Sequence, residues 1–216
     1  MKAIVVAGGN AAPEDAALLS GAELVIAADS GAQWLQGHGV SPDLIIGDMD
    51  SIDPGLLARM AAEGVEVERH PVDKDASDVE LAISRALAAG ASDVVIIGAL
   101  GGERLDHELA NLLLLVDRRW DGVELSMARG ATTARALQGG NRHELAGAAG
   151  DLVTLLPIEG DATGVRTDGL RYPLVGETLK SGRSRGLSNE VAHAPASVSL
   201  EGGTLLIIET RKEPRA

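Results

Sequence analysis

The run P-D-L-I-I-G-D-M-D-S-I, from Pro42 to Ile52, decides the fold of the first half of the chain. Its apolar centre, L-I-I-G, is typical of a short buried strand, and that strand leads directly into Asp48 and Asp50. Another apolar run, L-V-I-A-A-D, comes just before it and ends on Asp29. Carboxylates crowded at strand ends repel one another, and a hard cation such as Mg²⁺ relieves that repulsion. The run therefore indicates an enzyme that uses a metal ion.

Outward from this run, apolar strands alternate with helical patterns up to about residue 128. The predicted strands are Lys2–Ala7, Glu23–Ala28, Leu44–Gly47, Val65–Arg69, Asp93–Ala99 and Val123–Met127. The predicted helices are Pro13–Ser20, Ala32–His38, Pro54–Glu63, Ser77–Ala89 and Leu105–Arg119. Continuously apolar strands such as V-V-I-I-G indicate burial on both faces. The pattern predicts an α/β domain with a mostly parallel, Rossmann-like sheet flanked by helices.

The second half of the chain has a different pattern. Short apolar runs (L-V-T-L-L-P, S-V-S-L, T-L-L-I-I-E) are separated by the turn signals E-G-D, T-D-G, S-G-R and E-G-G. Several short strands with no convincing helix predict a small all-β sandwich or barrel. The Gly- and Ala-rich stretch Gly130–Gly147 contains the predicted boundary, which gives domains at 1–138 and 139–216.

Composition excludes several classes of function. The 216 residues carry a formal net charge of −13, which argues against nucleic acid or an anionic membrane as partner. Cysteine is absent, so disulfides, thiolate zinc sites and Fe–S clusters are excluded. No apolar stretch reaches the roughly 18 residues that a membrane span needs, and the first strand is too short for a secretory signal. We therefore expect a cytoplasmic protein.

Polar side chains follow four consecutive predicted strands. Because ligands bind beyond the carboxyl ends of strands in an open parallel sheet, these side chains are expected at one crevice. A single loop aspartate is as often a helix cap, but four acidic strand ends in succession favour a ligand site. The residues at this edge, in chain order, are Asp29, Asp48, Asp50, Asp73, Lys74, Asp75, Asp78, Arg104, Asp106 and His107.

Oxygen ligands alone select Mg²⁺ or Mn²⁺ over zinc, and no His/Cys grouping has zinc spacing. Mg²⁺ usually takes one or two protein carboxylates and leaves its other positions to phosphates and water. This fits phosphoryl or pyrophosphoryl transfer, with Lys74 and Arg104 as phosphate clamps. The turn A-G-G-N at Ala7–Asn10 lacks the full dinucleotide-binding pattern, yet its glycines leave room for a phosphate.

In the second half, S-N-E at Ser188–Glu190 places three hydrogen-bonding groups side by side. Such a trio either reads a polar heterocycle or closes a turn, and the turn is the more common case.

Taken together, these motifs resemble one enzyme family over nearly the whole chain. A-D-S-G-A, P-D-L-I-I-G-D-M-D-S-I, D-K-D-A-S-D-V-E-L-A-I, G-A-L-G-G-E-R-L-D-H-E-L-A-N and G-L-R-Y-P-L followed by S-N-E-V occur in the order found in thiamine pyrophosphokinases. The resemblance implies that ATP and Mg²⁺ are used to convert thiamine into thiamine diphosphate, with release of AMP. It also implies a homodimer whose active sites combine the α/β domain of one subunit with the β domain of the other.

The resemblance also assigns residues. It implies Asp48, Asp50 and Asp78 as the Mg²⁺ ligands and Ser188 and Asn189 as the thiamine side of the site. On the ATP side it implies Asp29, Arg104 and Asp106. We expect Lys74 and His107 on the same side, because they follow strands of the same sheet edge. Catalysis would rest on Asp48, Asp50, Asp78 and Arg104, and Asp75 and Asp78 are both open as the group that accepts or orients the hydroxyl proton.

One departure from the family pattern leaves alternatives open. Animal members stack thiamine on a tryptophan of the last strand, whereas T-L-L-I-I-E contains none. A pyrophosphokinase for another heterocyclic alcohol, such as a hydroxymethylpterin, is one alternative. A non-catalytic sensor of nucleotide or thiamine is the other, although every acidic motif position is present.

Overall fold

A computed structural model describes residues 1–102 and 104–212. The chain divides into two compact units, Met1–Gly130 and the part from Ala131 onward. This division precedes the sequence-based boundary at 138/139, because the strand over Thr132–Gln138 pairs with the last strand of the second unit. Within the described ranges, no helix is both long and apolar enough to cross a membrane.

The first unit alternates strands and helices. Its strands are β1 (Lys2–Val6), β2 (Leu24–Ala28), β3 (Leu44–Gly47), β4 (Glu66–Arg69), β5 (Asp93–Ile97) and β6 (Glu124–Arg129). Its α-helices are α1 (Gly31–Gly37), α2 (Pro54–Ala62), α3 (Asp78–Ala88) and α4 (Leu105–Leu114), with 3₁₀ helices at Pro13–Leu19 and Arg118–Trp120. Asp53 and Ser77 cap α2 and α3 by accepting hydrogen bonds from Leu56 N and Glu80 N.

One helix is shorter than the sequence predicts. The predicted helix Leu105–Arg119 ends at Leu114. The carboxylate of Asp117 accepts a hydrogen bond of 2.9 Å from Arg119 N and so begins a separate 3₁₀ turn. Side-chain capping at Asp117 therefore competes with continuation of the helix.

Each neighbouring strand pair of this unit is parallel, in the order β4-β3-β2-β1-β5-β6. The chain builds the sheet outward from β1 to β4 and then continues on the other side of β1 with β5. The direction of strand addition therefore reverses between β1 and β5, and crevices at such a point are where open α/β sheets bind ligands. Aliphatic side chains with no exposed surface, among them Ile4, Val6, Ile45 and Ile97, form the core below it.

The second unit is built from antiparallel strands. They are β7 (Thr132–Gln138), β8 (Arg142–Leu145), β9 (Leu152–Asp168), β10 (Val175–Leu179), β11 (Asn189–Glu190), β12 (Ala196–Ser199) and β13 (Gly202–Thr210). β13 pairs with β7 and β9, β12 pairs with β8 and β9, and the two short strands β10 and β11 also pair with β9.

The length of β9 differs from the prediction of short strands only. The turn signal E-G-D at Glu159–Asp161 bends the strand but does not end it, with φ of 63° at Glu159 and 124° at Gly160. The first part of β9 pairs with β13 and the second part with β10 and β12. One strand therefore serves two sheets around a core that includes Val153, Val165 and Leu205.

Candidate active site

A cavity of about 810 Å³ lies at the carboxyl edge of the first unit's sheet. Its wall is formed by the loops that follow β1, β2, β3, β4 and β5 and by the first turns of α3 and α4. This volume is within the range usual for small-molecule sites. The polar and charged lining residues are Asn10, Asp29, Ser30, Asp48, Asp50, Ser51, Lys74, Ser77, Asp78, Arg104, His107, Glu108 and Asn111.

The loop after β3 turns its two aspartates toward this cavity. Met49, between them, adopts a left-handed backbone with φ of 67° and buries its side chain in the core. With Met49 in the core, both Asp48 and Asp50 line the cavity. Asp50 N donates a hydrogen bond of 3.1 Å to Asp48 Oδ1, and this bond is the main reason that the pKa of Asp48 lies below its ordinary value.

Asp29 is the most enclosed acid of the cavity. It is 8% exposed and has a left-handed backbone with φ of 47°. Among the residues that the structure describes, nothing hydrogen-bonds to its Oδ1 atom. Burial raises the pKa of Asp29 despite hydrogen bonds from Ser51 and Ser30, and the negative charges of Asp78 and Asp48 add to the rise. A cation beside Asp29 would offset both the cost of burying its negative charge and its repulsion by Asp78 and Asp48.

Three of these acids fit a divalent metal ion. One carboxylate oxygen each from Asp29, Asp48 and Asp50 lie within 4.8 Å of one another. Oxygens around an octahedral Mg²⁺ are roughly 3–4 Å apart, because each bond is about 2.1 Å long. The buried oxygen of Asp29 without a partner and the all-oxygen donor set therefore match a hard cation. The sequence analysis predicted Asp48, Asp50 and Asp78 as metal ligands, whereas the three acids grouped here are Asp29, Asp48 and Asp50.

Asp78 is paired with a cation of the protein itself. Lys74 Nζ lies 2.9 Å from Asp78 Oδ1 and 3.5 Å from Asp48 Oδ2. Burial opposes the charge on Lys74, but hydrogen bonds and Coulombic attraction from Asp78 and Asp48 outweigh it and raise its pKa. Lys74 is 13% exposed. It therefore contributes a permanent positive charge inside an acidic cavity.

Glycines form the wall that faces β1 and β5. A Cβ atom on Gly9 would lie 2.4 Å from the carbonyl oxygen of Gly98, and one on Gly8 would lie 2.1 Å from Ser30 Oγ. Gly9 N also donates a hydrogen bond of 2.9 Å to Gly98 O. Backbone groups therefore line the cavity here, which suits the close approach of a phosphate.

The first turns of α4 supply the remaining polar groups. Arg104 pairs with Asp106 through contacts of 2.9 and 2.5 Å, and both side chains are exposed. Such an exposed ion pair contributes little to the stability of the fold, so Arg104 can leave Asp106 and bind a phosphate instead. Glu108 accepts a hydrogen bond from Gly101 N, and Asn111 Nδ2 donates one of 2.9 Å to Ala99 O. Both hold the loop that follows β5.

The cavity brings together seven of the residues singled out in the sequence, which are Asp29, Asp48, Asp50, Lys74, Asp78, Arg104 and His107. Asp75 and Asp106 are exposed and lie outside its lining. Ser188 and Asn189 belong to the second unit.

Asn189 has a structural task. Its Oδ1 accepts hydrogen bonds from Tyr172 N (3.1 Å) and Glu190 N (2.9 Å), and its Nδ2 donates one of 2.7 Å to Tyr172 O. Ser188 has φ of 56°, and its N donates to Thr154 Oγ1 at 3.0 Å. Of the two interpretations of S-N-E, closing a turn is the one that fits Asn189, because its side chain binds backbone groups.

Sequence reasoning missed several lining residues. Ser30, Ser51, Glu108 and Asn111 all line the cavity. Spacing was the available signal on α4, because positions 104, 107, 108 and 111 share one helical face. Ser30 and Ser51 directly follow Asp29 and Asp50, so each serine is the next residue after an aspartate that the sequence did predict at this edge.

Comparison with known families matches both units of the chain. Residues 16–127 match the family model described as thiamin pyrophosphokinase, catalytic domain. Residues 142–205 match the model described as thiamin pyrophosphokinase, vitamin B1 binding domain.

The chain belongs to the thiamine pyrophosphokinase family.

Individual members of the thiamine pyrophosphokinase family agree with this membership. A thiamine pyrophosphokinase of Bacillus subtilis is 26% identical over 213 residues, which are 97% of this chain and 99% of the relative. Thiamine pyrophosphokinase 2 of Arabidopsis thaliana is 29% identical over 79% of this chain and 66% of its own length. These matches favour thiamine pyrophosphokinase over the pterin enzyme and the sensor.

Solved structures of this family share the fold. A crystal structure of thiamine pyrophosphokinase from Bacillus subtilis superposes with a TM-score of 0.88 at 25% identity and covers 99% of this chain and 100% of that one. Thiamin pyrophosphokinase from Candida albicans has a TM-score of 0.82 at 14% identity, covering 97% of this chain and 89% of that one, and this likeness speaks for the fold alone.

Proposed function

We propose that this chain transfers the pyrophosphoryl group of ATP to the hydroxyl group of thiamine, giving thiamine diphosphate and AMP. The observation that carries the proposal is the acidic cavity at the point where strand order reverses, where three carboxylates converge beside a partly buried lysine. A Rossmann-like first unit would hold the nucleotide there, with its phosphates along the glycine wall.

A Mg²⁺ ion fits Asp29, Asp48 and Asp50, and Asp78 stands beside them. When bound, the ion would offset negative charge on the phosphates of ATP and make the β-phosphorus easier to attack.

The chain's own side chains would orient the reaction. The thiamine hydroxyl oxygen attacks the β-phosphorus, the bond from that phosphorus to the oxygen of the α-phosphate breaks, and AMP leaves. Lys74 and Arg104 would bind phosphate oxygens and balance the charge that moves onto AMP. Asp78 would accept or orient the hydroxyl proton, because it lines the cavity and Asp75 does not.

We further propose a cytoplasmic homodimer in which the β unit of one subunit completes the site of the other with Ser188. Helix α4 supports a partner contact, since none of its residues is buried within the described chain. Leu105, Leu109 and Leu113 repeat every four residues along one face, and each is more than half exposed. Such an apolar stripe on a surface helix favours a protein contact.

A product assay with several alcohols tests the proposal. The purified chain is incubated with ATP and Mg²⁺ and with thiamine, a hydroxymethylpterin or no alcohol, and AMP is measured. We expect AMP to form with thiamine, in equal amount to thiamine diphosphate. AMP formed only with the pterin, or tight binding of both substrates without any AMP, would overturn it.

A further inference from the structure

Tyr172 is the one aromatic residue with a largely exposed side chain in the described parts of the chain. It is 54% exposed, whereas Trp120 is 7% exposed and Trp34 packs against the core of the first unit. An exposed aromatic ring on an otherwise aliphatic protein leaves apolar surface in water. Its position therefore calls for a reason other than packing.

The backbone of Tyr172 is fixed more firmly than an exposed loop requires. The side chain of Asn189 binds both Tyr172 N and Tyr172 O, at 3.1 and 2.7 Å. On either side of this clamp, Arg171 N donates to Glu190 O at 2.8 Å, and Leu170 forms a β-bridge with Val191. The ring is thus presented from a rigid backbone beside the S-N-E strand.

The surroundings of the ring suit a cationic heterocycle. The guanidinium of Arg171 lies over the Tyr172 ring at 5.6 Å from its centroid, so the ring face already accepts a cation. The partly exposed carboxylate of Glu190 pairs with two cations of the protein, Arg171 Nη1 at 3.6 Å and Lys212 Nζ at 3.2 Å, and so holds Arg171 beside the ring. Thiamine carries a permanently cationic thiazolium ring joined to an aromatic aminopyrimidine.

We propose that the ring of Tyr172 packs against the heterocycle of thiamine and sets the affinity of the enzyme for this substrate. The inference rests on the proposed function. It also gives the Asn189 clamp a purpose, because Asn189 would position the ring without touching thiamine. A rigid aromatic platform loses little conformational entropy on binding.

Substitution at Tyr172 tests the inference with two readouts. In Tyr172→Ala we expect the thiamine KM and the calorimetric thiamine Kd to rise by about 5- to 150-fold, the range typical of a lost base–aromatic stack. The KM for ATP should stay unchanged. Tyr172→Phe should retain wild-type values, and Tyr172→Leu should resemble the alanine variant, since it keeps apolar volume but lacks the π face.

Val175→Ala is the matched control, because Val175 is 75% exposed on the same unit. Its thiamine KM should not change. The clamp uses backbone atoms of Tyr172, so all three variants should keep the wild-type melting temperature.

The outcomes separate this inference from the proposed function. If the wild-type chain forms no AMP with thiamine, the proposed function itself fails. If the wild type forms thiamine diphosphate and Tyr172→Ala or Tyr172→Leu keeps the wild-type thiamine KM and Kd, the ring is not a platform for thiamine. An equal rise in the KM for ATP would likewise overturn the inference.

Discussion

At Asp29 the requirements of folding oppose those of the proposed metal site. Burial and two nearby carboxylates raise its pKa, so the ionised form is unfavourable in the folded chain. An acid whose folded pKa is raised contributes stability below its ordinary pKa of 3.8 and loses that contribution as the pH rises through the folded value. Above the folded pKa of Asp29, the metal-free protein therefore carries a buried charge that destabilises the fold, and a bound cation would offset that cost.

We predict that Asp29→Asn stabilises the metal-free protein and weakens metal binding. Asparagine has the same shape, carries no charge and tolerates the left-handed backbone at this position. In EDTA at neutral pH, the melting temperature should rise by a few degrees, since about 1 kcal/mol corresponds to roughly 2–4 °C for a chain of this size. The gain should shrink as the pH is lowered, because wild-type Asp29 then becomes protonated.

Scanning calorimetry with and without Mg²⁺ checks this prediction. Wild type should gain stability from Mg²⁺, and Asp29→Asn should gain much less. Asp93→Asn, at the far end of β5, is the control and should respond to Mg²⁺ as the wild type does. A lower melting temperature for Asp29→Asn in EDTA would show that Asp29 stabilises the fold.

At the scale of elements, the strand ends meet at glycines. The loops after β1 and β5 touch through Gly9 and Gly98, where a Cβ atom on Gly9 would collide with backbone. No side-chain rotation relieves such a collision, so the two strand ends would have to separate. That movement would widen the cavity at the place proposed for the phosphates of ATP.

We predict that Gly9→Ala lowers the free energy of unfolding by about 1–3 kcal/mol, as overpacking in a close-packed region does, and raises the KM for ATP at least tenfold. Gly37→Ala is the matched control, because Gly37 lies on α1 with nothing within 4 Å of its Cβ position. It should stabilise the chain by up to about 1 kcal/mol. Urea unfolding and ATP kinetics measure both effects. An unchanged KM for ATP in Gly9→Ala would remove the glycine wall from the nucleotide site.

Sequence reasoning succeeds where periodicity and strand ends determine position. The alternation of strands and helices predicted where Asp29, Asp48 and Asp50 would meet, because parallel strands end at one edge. It did not predict which side chains contact each other in the folded chain. Lys74 pairs with Asp78 at i,i+4, but Lys74 precedes α3, so helical spacing does not predict this pair. Asn189 holds Tyr172 from 17 positions away, which no local spacing predicts. It also misread Glu159–Asp161 as the end of a strand, since a bend and a turn share the same residues.

At the scale of the whole molecule, the proposed function depends on a second copy of the chain. Ser188 is not part of the cavity-bearing unit, and the leucine stripe on α4 is exposed. A homodimer that covers this stripe would bury the exposed leucines and would let Ser188 of one subunit serve the cavity of the other. Burial of large apolar side chains is worth about 1.5–3 kcal/mol each relative to exposure, so three leucines would contribute substantially to association.

We predict that Leu109→Glu produces monomers that lack activity, because a charge in the apolar contact opposes burial. Light scattering after size exclusion measures the mass, and circular dichroism confirms that the monomer is folded. Ala61→Glu, on the exposed surface of α2, is the control and should remain dimeric and active. A monomeric wild type, or a fully active monomeric variant, would contradict composite sites.

Following the β-phosphate of ATP tests directly whether this chain transfers a pyrophosphoryl group. ATP labelled at the β-phosphorus is incubated with thiamine, Mg²⁺ and either wild type or Asp50→Asn, whose exposed carboxylate is replaced without disturbing the core. We expect wild type to move the label into thiamine diphosphate with unlabelled AMP, and Asp50→Asn to turn over at least 100-fold more slowly. Label in ADP, or near-normal turnover by Asp50→Asn at saturating Mg²⁺, would contradict it.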